Sequence, residues 1–209
     1  KAAMLPKWAY GYLQSQERYE TQAEIETIVD EYRKRNIGLD GIILDWCSWE
    51  DGMWGQKSFD PRRFPDPKEM IKKLHSQNVG FMISIWPNMD EKTENYREMK
   101  KEKALLPISS IYNAFEEKGR KLYWKQVRDG LFVHGIDAWW CDSSEPITVE
   151  WNHEKRMEPA NMYAEYCNEL AHHMPEWATN AFPLYHAMTL YEGQRGENEE
   201  KRVCNLTRS

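Results

Sequence analysis

The sequence has 209 residues and a formal net charge of −6 at pH 7, from 28 Lys and Arg against 34 Asp and Glu. An acidic chain with no basic cluster does not suit binding to nucleic acid or to an anionic membrane, and no apolar run is long enough to span a bilayer. We therefore expect neither a nucleic-acid partner nor a membrane partner.

Four cysteines are scattered along the sequence, without a Cys-x-x-Cys pair or another metal-ligand spacing: Cys47, Cys141, Cys167 and Cys204. Two of them lie within strand-like segments, which predicts buried free thiols in a reduced compartment, and we expect a cytoplasmic protein. The histidines likewise show no His-x-x-x-His or His-x-His spacing with an acidic partner. We therefore expect no metal site and no cofactor.

The start of the chain predicts two strands with a helix between them. Residues 6–15 alternate aromatic and small residues, as a strand can. Thr21 followed by Glu24 has the form of a capping box, which starts a helix. Residues 39–44 form an apolar run that ends on Asp45, a pattern typical of a buried parallel strand with a carboxylate at its C-terminal end.

A long loop follows, rich in glycine, tryptophan and proline, and such a loop is either functional or mobile. It leads into a helix predicted over residues 68–77. Residues 79–86 predict the third strand, which Pro87 stops. The lysine- and glutamate-rich residues 91–103 indicate a solvated helix face, and an amphipathic helix is predicted over 122–131.

The fourth strand carries the most informative motif, Gly135-Ile-Asp-Ala-Trp-Trp-Cys-Asp142-Ser-Ser-Glu145-Pro146. A short apolar run ends in a carboxylate, two hydroxyls and a second carboxylate, and the proline stops the strand near Asp142. Strand C-termini form the floor of the active site in an α/β barrel, so Asp142 is a candidate for chemistry. The alternative is that Asp142 only caps the next turn or helix.

After this motif, residues 147–158 are polar and irregular. A long helix is predicted over 159–173 and a further helix over 184–193, before a fifth strand over 202–209. Alternating strands and helices predict a parallel sheet with helices outside it. An open doubly wound sheet is the rival architecture. It is disfavoured because no glycine-rich phosphate loop follows the first strand and three strands end in aromatic and acidic clusters.

Two motifs resemble glycoside hydrolase family 31, the retaining α-glycosidases built on a (β/α)8 barrel. They are the Gly135–Pro146 stretch and Phe59-Asp-Pro-Arg-Arg-Phe64-Pro-Asp-Pro67, and the resemblance extends over nearly the whole chain. It implies an α/β fold, an incomplete (β/α)8 TIM barrel of about five βα units with parallel strands. A complete barrel needs about 250 residues, so residues 1–209 are expected to be the N-terminal part of a catalytic domain in a larger enzyme.

The resemblance implies roles for particular residues. Asp142 is the expected covalent nucleophile, Asp45 binds sugar hydroxyls, and Arg208 holds a ring hydroxyl and keeps the nucleophile charged. Glu145 is expected to support the loop rather than react. Several of the ten tryptophans are candidate sugar-stacking platforms, although core packing is an equal alternative for them; those assigned to the substrate are Trp49, Trp86 and Trp140.

The expected substrate is an oligosaccharide or small α-glycoside. The Asp-Ser-Ser-Glu motif after the fourth strand is closer to the α-xylosidase-like branch of the family than to the Asp-Met-Asn-Glu of its α-glucosidase branch. The identity of the sugar is therefore left open. A transglycosylase on the same site and a noncatalytic carbohydrate-binding fragment are the alternatives. The general acid/base is expected beyond Ser209, so the isolated chain is expected to be inactive, and its unpaired sheet edges predict self-association.

Overall fold

The computed structural model describes residues 4–145 and 158–207. One parallel sheet runs through it, with five strands lying side by side in chain order. The strands are β1 Leu13–Gln14, β2 Gly41–Leu44, β3 Gly80–Ile85, β4 Ala138–Cys141 and β5 Asn205–Thr207. Sequential parallel strands joined by helical crossovers form part of a βα-barrel, so the predicted half-barrel is confirmed.

Six α-helices connect the strands in the part of the chain that the structure describes: α1 Gln22–Lys34, α2 Pro67–Ser76, α3 Glu94–Lys101, α4 Glu117–Gly130, α5 Pro159–His173 and α6 Phe182–Glu197. Short 3-10 helices cover Lys7–Tyr10, Phe132–His134 and Glu176–Ala181. All four cysteines are free, and Cys141 and Cys204 are buried as predicted. None of the helices described above is long and apolar enough to cross a membrane.

The helix starts follow the predicted capping chemistry. The Thr21 hydroxyl oxygen accepts a hydrogen bond from Glu24 N at 3.2 Å. The Glu24 carboxylate reaches back to Glu20 N at 2.7 Å, one residue earlier than in a standard capping box. At α2, the Asp66 carboxylate accepts from Glu69 N at 3.0 Å, and Pro67 occupies the first turn.

The first predicted strand is mostly wrong. Only Leu13–Gln14 pair with β2, and the residues before them form a 3-10 helix. The ring of Trp8 packs where a β-carbon at Gly80 would come within 2.7 Å of it. Trp8 therefore packs against the first residues of β2 and β3 instead of extending the sheet, whereas Tyr10 and Tyr12 are exposed.

One helical prediction is confirmed and another needs correction. The charged stretch around α3 presents a solvated helix face, while Tyr96 and Met99 on the other side of the helix are buried. Helix α4 begins at Glu117, five residues before the predicted start. The prediction missed these residues because the first turn of the helix is polar and shows no apolar periodicity.

The sheet divides the apolar residues into two layers. Ile42, Phe81 and Trp139 belong to the large core beneath the helices. Ile43 and Met82, aligned with each other across β2 and β3, belong to a smaller cluster on the inner face of the half-barrel. Because side chains alternate along a strand, the residue two positions after an inner-face residue also lies on the inner face.

The long loop between β2 and α2 is folded around one buried carboxylate. The Asp60 side chain is fully shielded from solvent and forms ion pairs with Arg62 at 3.0 Å and Arg63 at 3.1 Å. The Arg63 guanidinium also donates to the main-chain oxygens of Cys47 and Trp49. Hydrogen bonds from Arg62, followed by those from Arg63, lower the pKa of Asp60 from 3.8 to about 2.

We expect Asp60→Asn to lower the free energy of unfolding at pH 7 by at least about 1 kcal/mol. A lowered pKa stabilises the fold above the unfolded-state value of 3.8 and loses this effect as the pH falls towards about 2. The difference from the wild type should therefore narrow below pH 4, as measured by urea unfolding. Asp51→Asn, at an exposed position of the same loop, is the control, and a gap that does not depend on pH would contradict the prediction.

Candidate active site

Asp142 lies directly after β4, at the C-terminal edge of the sheet. Its main-chain N donates to Ile85 O at 3.1 Å, which extends the ladder with β3 by one bond. Ser143 then adopts a φ of 48°, in the left-handed region, so the chain turns sharply. Ser143 N donates to Asp142 Oδ1 at 2.8 Å, and Ser144 Oγ donates to Cys141 O at 2.6 Å. This turn fixes the half-buried Asp142 carboxylate at the strand end.

Asp45 occupies the equivalent place after β2. It follows Ile43 by two residues, so alternation along the strand puts it on the inner face of the half-barrel, as it does for Asp142 after Ala138 and Trp140. Asp45 Oδ1 accepts from Trp46 N at 2.8 Å. The two carboxylates that were predicted to act together therefore share one edge and one face of the sheet.

The electrostatics of Asp45 reflect this arrangement. Burial raises its pKa, and the charge of Asp142 adds to the rise, while hydrogen bonds from Trp46 N and Ser84 oppose it. Ser84 lies on β3 between the two carboxylate-bearing strands and is buried. The sequence analysis did not identify it, although a lone hydroxyl in an apolar strand, two residues after Met82, is a signal that could have done so.

A cluster of four tryptophans borders this edge. The ring centroids of Trp49, Trp54 and Trp86 lie 5.3–5.4 Å apart, and Trp46 lies 6.0 Å from Trp54. Trp49 and Trp86 are only 5% and 3% exposed, so most of their surface packs against protein. Their stacking on a sugar stays a prediction, and the partly exposed members of the cluster are Trp46 and Trp54.

The remaining predicted residues fall in different places. Trp140 lies on the inner face and packs with the Ile43 cluster. The main-chain oxygen of Glu145 accepts a hydrogen bond from the Tyr166 hydroxyl of α5, and the supporting role of the Glu145 side chain stays a prediction. Arg208 lies outside the described residues, and so does most of the irregular stretch predicted over 147–158.

Lys57 and Tyr123 lie behind the tryptophan cluster, and the sequence analysis identified neither. Both donate to the main-chain oxygen of Trp86, from Lys57 Nζ at 3.3 Å and from Tyr123 OH at 2.6 Å. No periodicity marks a lysine in an irregular loop, so no sequence signal pointed to it. Within residues 4–145 and 158–207, no group of three or more His, Cys, Asp or Glu side chains is arranged to hold a metal ion.

Comparisons with known proteins agree with this fold. Residues 2–209 match the model of the glycosyl hydrolases family 31 TIM-barrel domain. An α-xylosidase of Saccharolobus solfataricus is 40% identical over 100% of this chain and 27% of its own length. An α-glucosidase of the same organism is 25% identical over 93% of this chain and 32% of its own.

A solved structure extends the match to three dimensions. The α-xylosidase of Xanthomonas citri superposes with a TM-score of 0.81 at 36% identity, over 98% of this chain and 23% of that protein. The chain thus spans about a quarter to a third of the length of these three relatives. The match to the family model, supported by these relatives, shows that the chain belongs to glycosyl hydrolase family 31, with residues 2–209 lying in its TIM-barrel domain.

Proposed function

We propose that this chain forms the nucleophile-bearing half of the active site of a retaining α-glycosidase. The observation that carries the proposal is the placement of Asp142 and Asp45 on one face and one edge of the parallel sheet, close enough for the charge of Asp142 to raise the pKa of Asp45. In βα-barrels, this C-terminal edge is where the chemistry takes place.

Asp142 acts as the nucleophile in a double displacement. A carboxylate oxygen forms a bond to the anomeric carbon while the bond from that carbon to the glycosidic oxygen breaks. The departing oxygen takes a proton from an acid that the family resemblance puts beyond Ser209. Water then gives a proton to the base that this acid has become and attacks the anomeric carbon, while the bond from that carbon to Asp142 breaks, which releases the sugar with its original configuration and returns the carboxylate. The hydrogen bond from Ser143 N to Asp142 Oδ1 holds the carboxylate in a fixed orientation for this attack.

Asp45 binds the sugar. Its two oxygens can accept hydrogen bonds from neighbouring hydroxyls, and bonds to a charged acceptor are stronger than neutral ones. Such contacts contribute to the rate when they strengthen in the transition state. The hydrogen bond that Asp45 Oδ1 accepts from Trp46 N, at 2.8 Å, holds the carboxylate in a fixed orientation for this purpose.

The sugar we propose is an α-xyloside. The α-xylosidase of S. solfataricus is 40% identical to this chain, whereas the α-glucosidase of the same organism is 25% identical. Xylose lacks the hydroxymethyl group of glucose, so 4-nitrophenyl α-xyloside should be cleaved with a higher kcat/KM than 4-nitrophenyl α-glucoside. A higher kcat/KM for the α-glucoside would reject xylose as the preferred sugar, but it would not contradict the proposed reaction.

The two alternative functions give different results in the same assays. A transglycosylase would form the covalent intermediate on Asp142 but pass the sugar to an added acceptor sugar in preference to water. A noncatalytic binding protein would bind sugar and form no covalent intermediate at all.

The nucleophile can be tested by trapping it. We expect a 5-fluoro-α-xylosyl fluoride to label the complete enzyme on Asp142, as mapped by peptide mass spectrometry. Asp142→Gly should lower kcat by at least about 10³-fold. Azide should restore turnover of α-xylosyl fluoride in this variant, because the small anion attacks from the vacated face and yields the β-glycosyl azide. A label on Asp45 or Glu145 would reject the assignment.

Asp45→Asn should separate activity from stability. We expect kcat/KM to fall about 100-fold, because a neutral amide binds the sugar hydroxyls less strongly. The same variant should have a higher free energy of unfolding at pH 7. A raised pKa means that the ionised form is less favourable in the folded chain, so this penalty is absent below the unfolded-state value of 3.8 and grows as the pH rises above it. Urea unfolding at pH 3.5 and 7 measures the difference, and a less stable variant at pH 7 would contradict it.

A further inference from the structure

The long loop between β2 and α2 contains a buried lysine that the proposed mechanism does not use. Lys57 is 3% exposed, and its ammonium group donates to Gly55 O at 2.7 Å and to Trp86 O at 3.3 Å. The same group lies 4.7 Å from the centroid of the Tyr123 ring, within the range of a cation–π contact. Burial lowers the pKa of Lys57 to about 7.

This lysine is not explained by stability. Among the described residues, no carboxylate pairs with Lys57, and burial is the cause of its lowered pKa. Burying an ammonium group without a counter-ion is unfavourable, and a methionine of similar length would avoid that penalty. The contacts of Lys57 with main-chain oxygens therefore suggest that it holds something in place.

Those contacts join two parts of the candidate site. Lys57 lies on the same loop as Trp49 and Trp54, whereas the oxygen that it binds belongs to Trp86 at the end of β3. The rings of these three tryptophans meet at 5.3–5.4 Å. Trp86 directly follows Ile85, whose main-chain oxygen accepts a hydrogen bond from Asp142 N. Lys57 thus connects the tryptophan-bearing loop to the strand that pairs with the nucleophile strand.

Lys57 is itself held tightly. Its main-chain N donates to Oδ1 of Asn95, in the first turn of α3, at 2.7 Å. Its main-chain oxygen lies against Gly130, where a β-carbon would come within 1.7 Å of it. Because the main-chain N and O of Lys57 are both held in place, its side chain can keep the Trp86 oxygen in a defined position.

The groups behind Lys57 are neutral. Thr189 donates to Tyr185 O, so the Tyr112 hydroxyl donates to Thr189 and accepts from His186 Nδ1 at 2.9 Å. Burial, followed by the positive charge of Lys57, lowers the pKa of His186 to about 3. The neutral imidazole therefore does not repel the ammonium group. These neutral surroundings are compatible with one ammonium group that donates to the main-chain oxygens of Gly55 and Trp86.

We propose that Lys57 is a positioning residue for the tryptophan wall formed by Trp49, Trp54 and Trp86, in which the two buried rings support the partly exposed Trp54 against the sugar. It does not touch the substrate. It acts with Tyr123, because both donate to the Trp86 oxygen and together they set where the end of β3 lies beside Asp142. The proposal rests on the function proposed above, since it assigns the residue to the sugar-binding part of that site.

A double-mutant cycle in the complete enzyme tests this role. Lys57→Met and Tyr123→Phe each leave one donor on the Trp86 oxygen, whereas the double variant leaves none. Each single variant should raise KM for 4-nitrophenyl α-xyloside about threefold with little change in kcat, because the wall binds ground state and transition state alike. The double variant should raise KM by more than the product of the single effects.

A matched lysine–tyrosine pair supplies the control. Lys100 Nζ lies 5.5 Å from the Tyr96 ring centroid on α3 and has no contact with Trp86. Lys100→Met should leave KM unchanged. If Lys57→Met does not fold, Lys57→Gln, which keeps a neutral donor but is one bond shorter, should give the same rise in KM. Independent single effects, or a fall in kcat at constant KM, would overturn the proposal.

Near-UV circular dichroism separates this proposal from the proposed function. Three indole rings at 5.3–5.4 Å should give a coupled tryptophan signal. Lys57→Met should reduce that signal and Lys100→Met should not, whether or not the wild type cleaves α-xylosides. An inactive wild type with this spectral result would reject the function alone. An unchanged spectrum in Lys57→Met would reject the positioning role.

Discussion

The register of the parallel sheet is the constraint on which the candidate site depends. Met82 aligns with Ala138 and Ser84 with Trp140, so β3 and β4 present their inner-face residues at matching heights. A shift of one residue along β4 would exchange the two faces of the strand and turn Asp142 towards the helices. The hydrogen bond from Asp142 N to Ile85 O locks this register at the point where the chemistry is proposed.

The site also concentrates charges in places that disfavour them. Burial raises the pKa of Asp45 and lowers that of Lys57, so in both cases the environment opposes the charged form. Asp60 is the contrast, because its two arginine partners lower its pKa and stabilise the loop. Groups that stabilise a fold are usually matched in this way, whereas mismatched groups tend to gather at functional sites.

The sequence predicted the strand ends well because an apolar run that stops at a carboxylate is a local signal. Asp45 and Asp142 could be placed at one edge on that basis, since parallel strands end together. The role of Lys57 could not be predicted, because its meaning depends on the Trp86 oxygen, 29 residues away in the chain. The burial of Trp49 and Trp86 could not be predicted either, since the packing of their rings within the cluster is a tertiary property.

The coupling between Asp45 and Asp142 has a consequence for the proposed reaction cycle. In the free site, the negative charge of Asp142 contributes to the raised pKa of Asp45. When Asp142 attacks the sugar, its carboxylate becomes an ester and that charge disappears. The ionised form of Asp45 then becomes more favourable, so its hydrogen bonds to the sugar hydroxyls strengthen as the covalent bond forms. Two carboxylates at one strand edge can thereby make sugar binding tighter in the intermediate than in the initial complex, which directs binding energy to the chemical step.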